Sequence, residues 1–408
     1  MKIVILTQYY PPEIGAPQNR LSELAVRLKK DGADIHVITA MPNYPHMRVH
    51  EGYRGKWRVN EEIDGIKVTR CWIYVPDSKS IFPRLLNYFS FVFSSFWIGL
   101  ARMKRSDYLL CESPPLFLGI SAFLLSRFKR TKMIFNVSDL WPESAEKLGL
   151  VTNRMLLRIS TWLEEFLYRK SALITGQTQT ITRNISGRFP KKTVYWLPNG
   201  VDISFYDPEK VKAADRARYG FSESDKLFCY AGIFGHGQGL EVVLDAADEL
   251  RTLTQAKFIL LGEGPEKERL KAMAAEKQLG NVFFMDAIPK AEMPAFVKMI
   301  DASLIPLRRL DLTKGSIPSK IFESLAMKKP ILLGVEGESY DLFITEGKCG
   351  LFCEPENPHA LAGQMRKLIQ EPQLIEELGT NGRNYVAQKF ERGTIARAFA
   401  ELLKTHNK

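Results

Sequence analysis

Along the chain, short unbroken apolar runs alternate with stretches whose apolar positions recur every three to four residues. KIVILTQYY opens the chain as a β-run ending in a loop, rather than as a leader. NRLSELAVRLKKDG follows at helical spacing and closes on Gly32, a C-cap residue. ADIHVITA, IKVTRCWIY, DYLLCE, KMIFNVSD, ALITGQT and TVYWLPNG continue the strand series. A second series runs through KLFCYAGIFG, AKFILLGEG, NVFFMDAI, ASLIPL, PILLGV and CGLFCE. Strands that alternate with helices predict parallel sheets, so the pattern predicts two doubly wound α/β domains. Turn residues cluster in NGVDISFYDP, which sets the joint near residue 200. The expected division is 1–200, 201–384 and a terminal amphipathic helix over 385–408 able to pack back on the first domain.

Residues 81–101, IFPRLLNYFSFVFSSFWIGLA, break the pattern with five phenylalanines and a tryptophan. Lys79, Arg84, Arg102, Lys104 and Arg105 lie before, within and after them. The stretch is too short and serine-rich to predict a membrane span. It reads either as a core helix or as an interfacial helix whose Phe89, Phe93 and Trp97 enter the acyl boundary.

Charge changes the balance between these readings. The net charge is +11, and residues 1–196 hold 29 Lys and Arg against 16 Asp and Glu, an excess of 13. The remainder is close to neutral. A basic first domain calls for an anionic partner, nucleic acid or membrane; the aromatic stretch favours an anionic membrane surface and no nucleic acid. Five scattered cysteines make no disulfide framework, so reduced thiols and a cytoplasmic protein are expected.

The candidate chemistry lies in loops that follow strands, where open α/β sheets bind ligands. QYYPPEIGAPQNR places Gly15 before the first helix, and AGIFGHGQGLE places Gly232 and Gly235 in a turn able to cradle phosphate. FILLGEGPEKERL adds Gly262 and Glu263. KGSIPSKIFESLA puts Ser319 as an N-cap, Lys320 as a cation and Glu323 one turn later, at the carboxyl end of ASLIP. A pyrophosphate and vicinal hydroxyls would satisfy these three residues. The glycine loops are not GxGxxG, so no nicotinamide or flavin is expected, and no Asp-x-Asp pair is present to hold a metal.

These segments, with VSDLWPES at 137–144 and LPNGVD at 197–202, resemble glycosyltransferase family 4 over nearly the whole chain. The resemblance implies a GT-B fold: two Rossmann-like domains facing a central cleft. It implies a retaining, metal-independent transferase without cofactor, with a nucleotide-sugar donor. It is similar to bacterial enzymes of O-antigen, capsule and exopolysaccharide assembly, among them N-acetylfucosaminyl transferases. The acceptor so implied is a saccharide on polyprenyl diphosphate, met by a peripheral protein at the inner face of the membrane.

Residue roles carry over position by position. Glu323 matches the second glutamate of the Glu-x7-Glu motif, the ribose contact; Gly315 stands where the first would be. Ile233 and Gln238 stand where the family keeps pyrophosphate-binding Arg and Lys, leaving Lys320 as the substitute cation. Gly15 matches the loop glycine beside the donor phosphate. Gly262–Gly264 and Ala287–Pro289, with Ile288 at the centre, fall at the nucleobase loops. Ser138 replaces the donor-sugar histidine, so Asp139 and Glu143 become the candidate contacts to sugar or acceptor hydroxyls. A sugar-nucleotide 2-epimerase of the same fold and a non-catalytic lipid- or nucleic-acid-binding protein are the competing readings. The aromatic stretch argues against the first and the Lys320–Glu323 pair against the second.

Overall fold

The computed structural model describes residues 1–13, 15–44, 47–76, 81–147, 149 and 151–406. The chain forms two compact units, 1–199 with 392–408, and 200–391.

In the first unit an eight-stranded sheet is built from β1 (Lys2–Leu6), β2 (Asp34–Ala40), β3 (Arg58–Ile63), β4 (Ile66–Cys71), β5 (Tyr108–Ser113), β6 (Lys132–Val137), β7 (Leu173–Gly176) and β8 (Val194–Trp196). Their order is β3-β4-β2-β1-β5-β6-β7-β8, parallel except for the β3–β4 hairpin. Alternation along β1 supplies both faces: Ile3 and Ile5 enter one core, Val4 and Leu6 the other. Helices Ile81–Arg102, Leu118–Lys129 and Arg154–Lys170 cover the second face. Helix Ala16–Lys30 and the C-terminal helix Arg392–His406 cover the first.

The second unit holds a wholly parallel six-stranded sheet of β9 (Lys226–Ala231), β10 (Ala256–Leu261), β11 (Val282–Met285), β12 (Ala302–Pro306), β13 (Ile331–Gly334) and β14 (Gly350–Phe352). The order is β11-β10-β9-β12-β13-β14. Phe228 and Tyr230 of β9 face one core, Leu227 and Cys229 the other.

Two expectations change. The boundary expected at 384/385 falls at 391/392, because helix Pro372–Lys389 runs through it and packs Tyr385 on Phe343 and Phe390 of the second unit. The final helix begins at Arg392 and sets Ala396, Phe399, Ala400 and Leu403 into the first unit's core. The Tyr108 hydroxyl donates to the Leu403 carbonyl at 2.9 Å, and Arg392 pairs with Glu23. The second change is β3, an added edge strand that only half buries alternate residues of RVNEEI.

Candidate active site

The order of each sheet decides where a ligand fits. In the second unit β9 leads outward to β10 and β11 on one side and borders β12 on the other, so the winding reverses between β9 and β12. Loops that leave the carboxyl ends of two such strands diverge and open a crevice. The loop after β9 is the glycine turn 232–239; β12 leads through 307–319 into helix Lys320–Ala326.

Lys320 meets that glycine turn. Its Nζ lies 3.7 Å from the Tyr230 ring centroid and 3.4 Å from Gln238 Oε1. The Tyr230 hydroxyl donates to the Ile233 carbonyl at 2.7 Å, with Gln238 Oε1 as an alternative acceptor at 3.0 Å, which holds the turn against the strand. Arg308, in the loop from β12, donates to the His236 carbonyl at 2.7 Å and to Glu241 Oε1 at 2.9 Å. Burial pushes the Lys320 ammonium down to about 7, with Cys229 and Glu323 opposing. Glu323, half-buried, lies one turn further along the same helix. A polar face is thus held around one cation that is half-buried, so solvent still reaches it from one side.

The surrounding glycines are placed by close packing. A Cβ on Gly262 would lie 1.9 Å from the Gly232 carbonyl oxygen, and Gly262 has φ 140°; only glycine lets the β9 and β10 loops touch. The Gly232 amide donates to Leu261 O at 2.9 Å and the Gly235 amide to Ile233 O at 3.0 Å. Both are therefore already bonded within the protein. Neither of these two amides is left over to cradle a phosphate as expected; a Cβ on Gly232 would come within 3.1 Å of Lys320 Nζ, whereas one on Gly235 would meet nothing closer than Ile233 Cγ2 at 4.0 Å. Gly262 donates to Met285 O at 3.0 Å, and the Glu263 carbonyl accepts from Phe234 N at 2.8 Å. The Glu263 carboxylate pairs with Lys267, which also reaches Asp286, so one buried ammonium ties the loops after β10 and β11 together. Ile288, half-buried in that second loop, packs against the same core cluster as Met285 of β11.

Ser319 does not cap. It has helical dihedrals (φ −60°, ψ −29°) and no side-chain cap bond, because the turn already starts at Pro318, whose carbonyl accepts from Ile321 N at 3.1 Å. Helix Lys320–Ala326 has seven residues, so the Lys320 ammonium rather than a helix dipole supplies the positive charge.

In the first unit the winding reverses between β1 and β5. Gly15 is the N-cap of helix Ala16–Lys30 with extended dihedrals (φ 172°, ψ 166°), and its missing Cβ leaves room for Gln18 Oε1. Asp139, just past β6, reaches solvent. Crowding by protein raises its carboxyl, while hydrogen bonds from Ser144 and the Leu140 amide pull the other way. That open side limits the rise. Glu143 is half-buried and accepts from Lys147 Nζ at 2.7 Å. Beneath Ser138 lies a buried network that the sequence reading missed. Arg20 Nη2 donates to Glu112 Oε1 at 2.6 Å and to Ser138 Oγ at 2.7 Å. Ser138 and Asn136 also donate to Glu112, and Thr175 to Asn136 Oδ1 at 2.6 Å. The signal was present: a glutamate inside the buried run DYLLCES needs a charged partner.

Helix Ile81–Arg102 presents one face to the core and another to solvent. Phe91 and Ile98 are buried, whereas Phe89, Phe93 (56% exposed) and Trp97 (52%) face outward. Lys79 lies outside the described residues, and nothing is described of the Arg84 side chain. Among the described residues no helix is long and apolar enough to cross a membrane.

Two doubly wound units, each with glycine-bearing loops at its switch point, define a GT-B glycosyltransferase. Residues 15–200 match the family model "Glycosyl transferase 4-like domain" and 211–385 match "Glycosyl transferases group 1". The chain belongs to glycosyltransferase family 4 and is an enzyme of the glycosyltransferase class. It is 28% identical to WcaI of Escherichia coli (strain K12), named for colanic acid biosynthesis as a glycosyl transferase, over 98% of each chain. Sucrose-phosphate synthase of Thermosynechococcus elongatus has a similar fold, with TM-score 0.76 and 16% identity over 99% of each chain. HepE of Anabaena, solved with UDP and glucose, gives 0.73 and 16%, covering 99% of this chain and 100% of that one.

Proposed function

We propose that this enzyme transfers a hexosyl or N-acetylhexosaminyl group from a uridine diphosphate sugar, with retention, to a lipid-linked saccharide in bacterial surface polysaccharide assembly. The carrying observation is the convergence of Lys320 with the glycine turn at the β9/β12 switch point, with Glu323 one turn on. The likeness to WcaI supports the pathway class, and the UDP and glucose bound in HepE support the donor class.

In this reading the second unit holds the donor. Glu323 accepts from the ribose hydroxyls, the loops at Gly262–Gly264 and Ile288 take the uracil, and Lys320 faces the diphosphate. The bond from the anomeric carbon to the diphosphate oxygen breaks, and its electron pair stays on that oxygen. Lys320 stabilises the growing negative charge, the fixed electrostatic stabilisation that contributes most to such reactions. The acceptor hydroxyl attacks from the same face, and its proton passes to the departing diphosphate. Asp139 and Glu143 orient sugar and acceptor hydroxyls. Because a side chain supplies the cation, the reaction proceeds without a metal and survives a chelator. The basic first unit, with Phe89, Phe93 and Trp97 outward, sits on the inner face of the cytoplasmic membrane beside its polyprenyl-diphosphate acceptor.

The test supplies α-linked UDP-sugars and a polyprenyl-diphosphate monosaccharide in the presence of EDTA and reads the product anomer by proton NMR. An α product is expected. A β product overturns retention, loss of turnover with EDTA overturns metal independence, and turnover that is indifferent to Glu323→Ala overturns the donor site.

A further inference from the structure

We propose that the first unit carries a second bilayer-contact element, the outward face of helix Arg154–Lys170, and that its partner is an anionic lipid surface. This rests on the proposed membrane attachment through helix Ile81–Arg102 and extends it to a part of the chain that the aromatic stretch does not include.

The helix has two apolar stripes. Leu163, Leu167 and Tyr168 point inward and are buried in the core beside Phe135. On the other side Met155 (72% exposed), Ile159 and Trp162 (60%) lead to Phe166, at spacings of four, three and four residues. Such spacing makes one continuous ridge. Trp162 stacks on Phe166 with centroids 5.6 Å apart and an interplanar angle of 19°. A surface helix needs only its inward stripe, so a second one that ends in solvent calls for something to cover it.

Ring contacts join this ridge to the outward rings of the first helix. Phe166 meets Phe123 at 4.9 Å, on helix Leu118–Lys129. That helix also carries the exposed Phe128, which meets Phe96 at 6.0 Å, and Phe96 meets Trp97 at 5.2 Å. The inner residues Phe91, Leu125 and Leu163 of the three helices share one core cluster, so all three cover the same side of the sheet.

Charge selects the occupant. The three helices hold 8 Lys and Arg against 2 Glu, and both carboxylates are already paired, the buried Glu164 with Arg188 and Glu165 with Arg169. Arg102, Lys104, Arg105, Arg127, Arg154 and Arg158 are exposed around the ridges. A second copy docked through the same face would set cation against cation, with only Glu165, already paired with Arg169, to offset them. Nucleic acid offers stacking partners to the rings but nothing apolar to Met155 or Ile159. A bilayer with anionic head groups offers both phosphates and an acyl boundary.

The experiment sediments the full chain with vesicles of phosphatidylethanolamine and phosphatidylglycerol, and with vesicles of phosphatidylcholine alone. Combined Met155→Ser, Ile159→Ser and Trp162→Ser should weaken partition onto the anionic vesicles by roughly tenfold or more, with an unchanged unfolding midpoint. Arg154→Gln with Arg158→Gln should cost about fivefold per cation on anionic vesicles and little on phosphatidylcholine. If the triple variant partitions like wild type while Phe89→Ser, Phe93→Ser and Trp97→Ser release the protein, this inference is overturned and the first helix stands as the only anchor. If wild type binds neither vesicle, both membrane readings fall. A wild-type dimer that the triple variant turns into a monomer, with no loss of lipid binding, also overturns it, since a second copy then covers the ridge.

Discussion

Lys320 sits against an aromatic ring at a site where burial makes its charge costly. In the free enzyme the ammonium titrates at about 7, and a donor diphosphate beside it would favour the charged form. A nucleotide sugar has no titrating phosphate near neutrality, so the proton balance reports Lys320. Below pH 7 both states are charged and binding takes up no proton. Above it the free lysine loses its proton while the bound one keeps it, so binding takes up as much as one proton and affinity falls at most tenfold per pH unit. Calorimetry in buffers of differing ionisation enthalpy reads this uptake; a constant proton count from pH 6 to 9 would refute it. Lys320→Ala should lower kcat by about two to three orders of magnitude, the usual cost of removing one group that stabilises a leaving charge. Its unfolding midpoint should not fall, since the removed cation is strained by desolvation. A near wild-type rate would remove Lys320 from the chemistry. The sequence showed this cation and its carboxylate, but not Tyr230, which read only as a core residue of KLFCYA. It also misassigned Ser319, because a serine before a helical pattern can be a cap or lie inside the turn, and Pro318 decided between them.

Strands and loops were legible to the degree that they were buried. Every run of the two strand series became a strand, whereas β3 escaped because RVNEEI is polar and lies at an edge. Its hairpin did leave a signal: Asp64 and Gly65 both have positive φ (50° and 75°), the signature of an Asp-Gly two-residue turn. The glycine loops illustrate a different limit. Sequence spacing marked Gly232 and Gly262 as special, yet only the packing showed that they serve each other before they serve a ligand. Gly262→Ala should therefore destabilise the second unit by about 2–4 kcal/mol through the clash with the Gly232 carbonyl. The midpoint should drop by roughly 5–15 °C, with loss of UDP binding. Calorimetry showing an unchanged midpoint would mean that the β9 and β10 loops can separate freely. Helix Ile81–Arg102 drew two readings because it has a buried apolar face and an outward aromatic one. Replacing Phe89, Phe93 and Trp97 with serine should release the protein from anionic vesicles while leaving its fold intact, because Phe91 and Ile98 still anchor the inner face. Aggregation or unfolding of that variant would return the outward rings to a structural role.

The chain as a whole divides its work as its charge does. The excess of basic residues lies in the first unit, with the outward aromatic rings, and the Lys320–Glu323 constellation lies in the nearly neutral second unit. Two series of apolar runs sufficed to predict two doubly wound units, because parallel strands buried on both faces announce themselves by hydrophobicity alone. The boundary near 391 was not legible, since the final helix returns to the first unit's core and nothing local distinguishes it from its predecessor. The Arg20–Glu112–Ser138 network was hidden for a related reason: its members lie far apart in sequence and meet only at strand ends. The reading that unites these parts is sugar transfer from a uridine diphosphate donor to a lipid-linked saccharide. Its most direct measurement is a screen of nucleotide sugars against a polyprenyl-diphosphate monosaccharide, read by mass spectrometry of the lipid product. The predicted result is a gain of one hexose or N-acetylhexosamine with a UDP donor, accompanied by an equal release of UDP. No mass gain with any nucleotide sugar, under conditions where the enzyme is folded and vesicle-bound, would contradict it.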